Sequence, residues 1–76
     1  MLLHVGRDVT VLLKDVVAIL NAREGLAEST REFLGNMRHK GAVEGGADPR
    51  AKSIVVLGNK VHYSPISSVT LMMRAD

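Results

Sequence analysis

Cysteine is absent from the 76-residue sequence, which removes both disulfide bonds and thiolate zinc sites. A single core in so short a chain rarely supplies more than about 3–5 kcal/mol, so small folds usually add disulfides, a structural metal or self-association. The three histidines, His4, His39 and His62, are scattered singly, and no third metal ligand is implied for any pair of them. We therefore expect one domain over residues 1–76, without a metal site, that is stabilised by oligomerisation.

Proline and aromatic residues are also scarce, since the chain has two prolines, one phenylalanine and one tyrosine. With 46% hydrophobic residues the sequence is nevertheless too apolar for intrinsic disorder. The longest stretch without Asp, Glu, Lys or Arg covers residues 61–73 and is too short to cross a bilayer. No basic segment precedes an apolar core at the N-terminus, so no signal peptide is indicated. We expect a folded cytoplasmic protein with no membrane partner.

Catalytic motifs are missing as well. The sequence contains no Gly-x-Ser-x-Gly, Walker-type, Gly-x-Gly-x-x-Gly or His-Glu-x-x-His motif. Gly41, Gly45 and Gly46 flank a loop that lacks the lysine and hydroxyl group of a phosphate cradle. We expect neither enzyme activity nor a cofactor.

What the sequence does contain is a set of short apolar runs, rich in β-branched residues and separated by turn residues, which predict strands. A helix over residues 26–40 follows the first three runs, then a loop over residues 42–52. A short helix over residues 65–74 ends the chain, with Ser64 as its cap and Pro65 in its first turn. The pattern predicts an α+β fold in the order β-β-β-α-β-β-α, with a small, mostly antiparallel sheet of about five strands. The strands cover residues 2–5, 9–13, 16–20, 53–57 and 60–63.

The ends of the main helix carry their own signals. Ser29 and Glu32 have capping-box spacing, although a start nearer Ala27 fits the apolar pattern as well. Gly41 is suited to the left-handed position after the last turn. Gly35 inside the helix is either simply tolerated or allows another backbone to approach closely.

Two of the predicted strands are apolar at nearly every position, namely residues 9–13 and 16–20. Such strands are typical of a sheet covered on both faces. One 15-residue helix covers a single face, so a second copy of the chain is expected on the other. The alternative is that the C-terminal helix folds back over that face.

Basic residues in predicted loops and turns suggest a nucleic acid partner, because exposed lysine and arginine neutralise phosphates. The formal net charge of +2 permits such a partner without requiring it, and a solvated surface remains the alternative. With so few aromatics, base stacking is not expected, so duplex DNA is the nucleic acid in question. The candidate DNA-binding residues are Lys14, Arg50, Lys52 and Arg7.

Five segments together resemble a known family. They are LHVGRDV at 3–9, STREFL at 29–34, DPR at 48–50, SIVV at 53–56 and YSPISSVTL at 63–71. In order and spacing they are similar to the bacterial RemA/RemB family of extracellular matrix regulatory proteins, and most similar to the RemB branch.

The resemblance implies a small cytoplasmic protein that assembles into rings and regulates matrix and biofilm genes. In RemA-type members, DNA binding depends on an arginine near the second strand, which falls on Lys14 here, and on a loop arginine pair. That pair falls on residues 48–51, where only Arg50 keeps the charge and Lys52 lies close by. We expect a ring-forming, DNA-binding transcriptional regulator. The alternative is an oligomeric protein-protein interaction module with little DNA binding, which the Asp48-Pro49 pair favours.

Overall fold

The computed structural model describes residues 1–6, 8–44 and 49–75. Within these ranges the α+β class, both helices and every predicted strand are confirmed. The strands are β1 (Leu2–His4), β2 (Thr10–Leu12), β3 (Val16–Asn21), β4 (Val43–Glu44), β5 (Ser53–Leu57) and β6 (Val61–Ser64). The helices are α1 (Glu28–His39) and α2 (Ser68–Ala75), and a 3₁₀ turn (Leu13–Asp15) joins β2 to β3.

The strands divide between two sheets rather than forming one. β1 and β2 make an antiparallel hairpin, and the second sheet has the strand order β3-β5-β6-β4. Pairing in the second sheet is antiparallel except between β4 and β6. The division occurs at the 3₁₀ turn, where Lys14 and Asp15 interrupt the apolar run and the chain leaves the hairpin for the main sheet.

β4 lies within the predicted loop, and the loop prediction is wrong at these two residues. Val43 pairs with Val61 in parallel, and the Val61 N–H donates to the Ala42 carbonyl at 2.9 Å. A strand of two residues is too short to show a periodic pattern in the sequence. β4 forms because the edge of β6 offers a pairing partner, and only the tertiary structure brings that edge close. Residues 45–48 of the predicted loop lie outside the described residues.

The core has two halves, one on each face of the main sheet, and β5 is buried at all five positions between them. On one face α1 packs Leu34 and Met37 against Ile54 and Val56. On the other face the hairpin and α2 pack against β5. The buried residues of this second half are Leu3, Val5, Val55, Leu57 and Leu71.

The second face is therefore covered by the chain itself. The expectation that a second copy covers it is wrong, and the C-terminal helix does fold back as the alternative required. It does so together with the N-terminal hairpin, whose strands the apolar pattern predicts as part of a single sheet. Strands that are apolar on both sides therefore do not by themselves require assembly.

The start of α1 differs from the capping-box prediction. Ala27 occupies the cap position and makes no side-chain cap hydrogen bond, so the Ser29-Glu32 box is not formed. Ser29 is already the second residue of the helix, where its hydroxyl cannot act as the cap. The alternative start near Ala27 is the one observed.

The end of α1 confirms the role of Gly41. This residue has a φ of 73°, and its N–H donates to the Arg38 carbonyl at 3.0 Å. The next N–H, from Ala42, donates to the Met37 carbonyl at 2.9 Å. These two bonds form a Schellman motif, which closes the helix by a left-handed residue.

α2 begins three residues later than predicted, and its cap is Ser67 rather than Ser64. The Ser67 hydroxyl accepts a hydrogen bond from the Thr70 N–H at 3.2 Å. Ser64 cannot cap the helix, because its hydroxyl accepts from the Ile66 N–H at 3.0 Å in a local turn. Pro65 precedes the helix and is not part of its first turn.

Alanine substitutions at two glycines in and after α1 are expected to change the free energy of unfolding in opposite directions. Gly41→Ala places a side chain at positive φ and should lower the free energy of unfolding by about 1 kcal/mol. Gly35→Ala should raise it by about 0.5–1 kcal/mol, because a Cβ there meets no described atom within 4 Å and alanine favours helix. Urea denaturation of both variants checks the pair. A destabilised Gly35→Ala protein would show that something does approach this helix closely.

Candidate nucleic-acid interface

Lys14 lies in the 3₁₀ turn at the start of β3, and its side chain is exposed. The turn places it beside Asp15, with the β5–β6 turn opposite. Within the described ranges Lys14 forms no ion pair. It can therefore offer an ammonium group to an anion without breaking an existing contact.

Arg50 and Lys52 precede β5 at the other end of the sheet, and both side chains are exposed. The backbone of Lys52 is held on both sides. Its N–H donates to the Ser64 carbonyl at 2.8 Å, and its carbonyl accepts from the Ala22 N–H at 3.1 Å. The segment thus continues the ladder of the sheet, which fixes the backbone position from which the Lys52 side chain extends.

Two buried serines fix the same segment from inside. Ser53, which follows Lys52, donates its hydroxyl hydrogen to the Ile66 carbonyl at 2.7 Å. Both Ser53 and Ser64 are fully buried. Since a buried hydroxyl needs a partner, the Ser53 bond ties the start of β5 to the turn before α2.

The candidate residues do not converge within one chain. Val16 pairs with Leu57 at one end of the β3–β5 ladder, and Asn21 pairs with Ser53 at the other. Lys14 extends the first end and Lys52 the second, so roughly 17 Å of strand separates them at about 3.4 Å per residue. Arg7 lies outside the described residues.

The register also brings basic residues to each end that the sequence-based candidate set omitted. Lys60 borders the same open cleft as Lys14, which has a volume of about 610 Å³. Arg23 follows the residue that hydrogen-bonds Lys52. Each end of the ladder therefore carries at least two basic side chains. The proximity of Lys60 to Lys14 depends on a strand pairing that the sequence does not reveal.

Lys60 forms an ion pair within the described part of the chain. Its Nζ lies 3.0 Å from Oε1 of Glu44, and both side chains are about half exposed. A pair this exposed contributes little to stability and is screened by salt. It does reduce the positive field at the Lys14 end of the ladder.

Large apolar side chains remain exposed on two other surfaces. The hairpin patch consists of Leu2 and Leu12, which face each other across β1 and β2, and Leu2 is 65% exposed. The helix stripe consists of Val69, Met72 and Met73, which lie at helical spacing on α2. Exposed apolar groups in such sets are typical of interaction surfaces.

A metal site or a membrane span would each leave a recognisable feature in the described residues. No three His, Asp or Glu side chains there are grouped so as to hold a metal ion. Neither α1 nor α2 is long and apolar enough to cross a membrane.

Comparison with known proteins defines the class to which this small α+β domain belongs. A family model described as RemA-like, extracellular matrix regulatory protein A-like, matches residues 2–75. Extracellular matrix regulatory protein B of Bacillus subtilis (strain 168) is 37% identical over 76 residues, covering 100% of this chain and 91% of the relative. The chain belongs to the RemA-like family of bacterial extracellular matrix regulatory proteins, which confirms the resemblance.

The serine that anchors the Lys52 segment yields a prediction. Ser53→Ala leaves the Ile66 carbonyl without its donor and should lower the free energy of unfolding by about 0.5–1.5 kcal/mol. Ser29→Ala is the control, because this serine is exposed and caps nothing, and its effect should stay within about 0.5 kcal/mol. Thermal or urea unfolding measures both. Equal effects would contradict the role assigned to the Ser53 hydroxyl.

Proposed function

We propose that this protein is a cytoplasmic, ring-forming regulator of transcription that binds the phosphates of duplex DNA. The residues that contact the DNA are Lys14, Arg50, Lys52 and Arg7. The observation that carries the proposal is that the described members of this set are exposed at the two ends of one rigid β3–β5 ladder. Membership of the family of extracellular matrix regulatory proteins supports a regulatory role.

The separation of the basic ends explains why assembly matters for DNA binding. One chain offers a few cations at each end, and each phosphate contact adds only the release of its counterion. Several copies repeat both ends along one duplex, so that weak contacts act together as avidity. A ring therefore binds DNA although the formal charge of each chain is only +2.

The two exposed apolar surfaces support self-association. The hairpin patch and the helix stripe belong to different elements and differ in residue type. Contact between two unlike surfaces of neighbouring copies is heterologous, and heterologous contacts close into rings when the rotation allows it. The helix stripe equally suits another protein, which is the specific observation in favour of the alternative, an interaction module with little DNA binding.

DNA binding is tested by fluorescence anisotropy with labelled duplexes at two salt concentrations. Affinity should fall steeply with salt, and Lys14→Ala or Lys52→Ala should weaken binding to every sequence and flatten the salt dependence. Arg31→Ala is the control, because it removes one exposed positive charge from α1 that is not among the candidate DNA-binding residues. Absence of salt-sensitive binding at low ionic strength would contradict the proposal. Rings that form without binding DNA would favour the interaction module.

Assembly is tested by light scattering of the purified protein. The unmodified chain should be oligomeric, and Leu2→Glu or Met72→Glu should lower the subunit number by placing a charge in an apolar contact. Ser29→Glu adds the same charge at an exposed position in the first turn of α1 and should leave the assembly unchanged. A monomeric unmodified protein would contradict both the ring and the interaction module.

A further inference from the structure

His62 occupies the contact between the main sheet and the N-terminal hairpin. It lies on β6, paired with Val55, and is 5% exposed. Since directly paired residues share a face of the sheet, its side chain is on the Val55 side, where the hairpin packs. Nε2 of the imidazole lies so close to the β1–β2 connection that a Cβ added to Gly6 would be 3.2 Å away.

The imidazole is poorly prepared to carry a charge. Its Nδ1 atom is buried and has no hydrogen-bond partner among the described residues. A neutral ring can leave this nitrogen as an unused acceptor, whereas a protonated ring carries a hydrogen on both nitrogens. Protonation would thus place a charge and an unsatisfied donor between hairpin and sheet, which is costly without a partner.

The charged groups around the His62 ring do not compensate for the free-energy cost of protonating it. Burial lowers the pKa of His62 below its ordinary value of 6.5, the carboxylate of Glu44 opposes this, and the ammonium of Lys60 adds to it. Those two groups are bound to each other, so their fields partly cancel. In the segment from β1 to β2 the ionisable residues are His4 and Asp8, both exposed, and Arg7, which lies outside the described residues.

The hairpin is the element that can move away from the main sheet when the His62 ring is protonated. Its backbone hydrogen bonds are internal, from the Val5 N–H to the Val9 carbonyl and from the Leu13 N–H to the Met1 carbonyl. Apart from the bond of the 3₁₀ turn, from the Val16 N–H to the Leu13 carbonyl, no backbone hydrogen bond within the described ranges joins it to the four-stranded sheet. The hairpin is held by side-chain packing, so it can separate without breaking the main ladder.

We propose that His62 is a pH-dependent latch for the N-terminal hairpin: protonation of its imidazole releases β1 and β2 from the four-stranded sheet and admits water to the charged ring. The latch depends neither on DNA binding nor on ring formation. Its consequence is that acid separates the Leu3 and Val5 side chains from the core of the second face.

The direction of the pH dependence follows from proton linkage. Well above pH 6.5 the ring is neutral in both the closed and the open form, and the closed form is at its full stability. As the pH falls below this value, the open form binds a proton that the closed form resists. The ratio of open to closed protein should then rise by up to about tenfold per pH unit, until the closed form also becomes protonated.

Hydrogen exchange measured by NMR on the unmodified full chain tests the latch. Between about pH 7.5 and about pH 5.5, protection factors corrected for intrinsic exchange should fall up to about tenfold at the Val5 and Leu13 amides. A released two-stranded hairpin is marginal in water, so its amides report the opening. The Val55 amide, within the main sheet, should keep its protection.

Two variants make the test specific. His62→Gln removes the titrating ring and should abolish the pH dependence at the hairpin amides. His4→Gln removes an exposed histidine of the hairpin itself and should leave that dependence intact. If His62→Gln does not fold, the NMR titration of the His62 ring in the unmodified protein decides instead.

Three outcomes would overturn the latch. The first is an unchanged acid response in His62→Gln, which would assign it to another group. The second is titration of the His62 ring at or above its ordinary pKa, which would show that the closed form accepts the proton. The third is an equal loss of protection in hairpin and main sheet, which would indicate global unfolding.

Discussion

Burial of β5 on both faces is the constraint on which the rest of this structure depends. Every residue of the strand is buried, in a chain of 76 residues. A strand of this kind needs a cover on each side. α1 supplies one, while the N-terminal hairpin and α2 share the other. Three elements that are distant in sequence are thus placed by one apolar strand, whose burial of side chains such as Ile54 and Val55 drives the folding.

The same central strand determines where the charge lies. Its neighbours run antiparallel, so loops and turns leave the sheet at both ends, and polar residues collect there because the strand interiors are apolar. Lys14 and Lys60 consequently border one cleft at one end, and Arg23 and Lys52 lie at the other. A basic surface on this fold is therefore divided in two. A partner that engages both ends must be long, or must meet several copies of the chain at once.

Sequence signals for helix ends predicted the structure correctly where the residue and the hydrogen bonds it affects lie within a few positions of each other. Gly41 ends α1 in the left-handed conformation because few other residues tolerate it, and no distant group takes part. The signals failed where two residues compete for one role. The Ser64 hydroxyl is already bound by Ile66, so the cap of α2 passes to Ser67. Which hydroxyl is available depends on the turn between β6 and α2 and not on residue type.

The sequence by itself determined the α+β class, the approximate limits of the five longer strands and of both helices, and the family. Apolar periodicity and the order of motifs along the chain depend on residue types alone and not on how the chain packs. Only the tertiary structure decided the separation of the hairpin, the cover of the second face and the distance between Lys14 and Lys52. It also decided the burial of His62 against Gly6. These features depend on strand register and on the packing of residues far apart in the chain, which residue types alone do not specify.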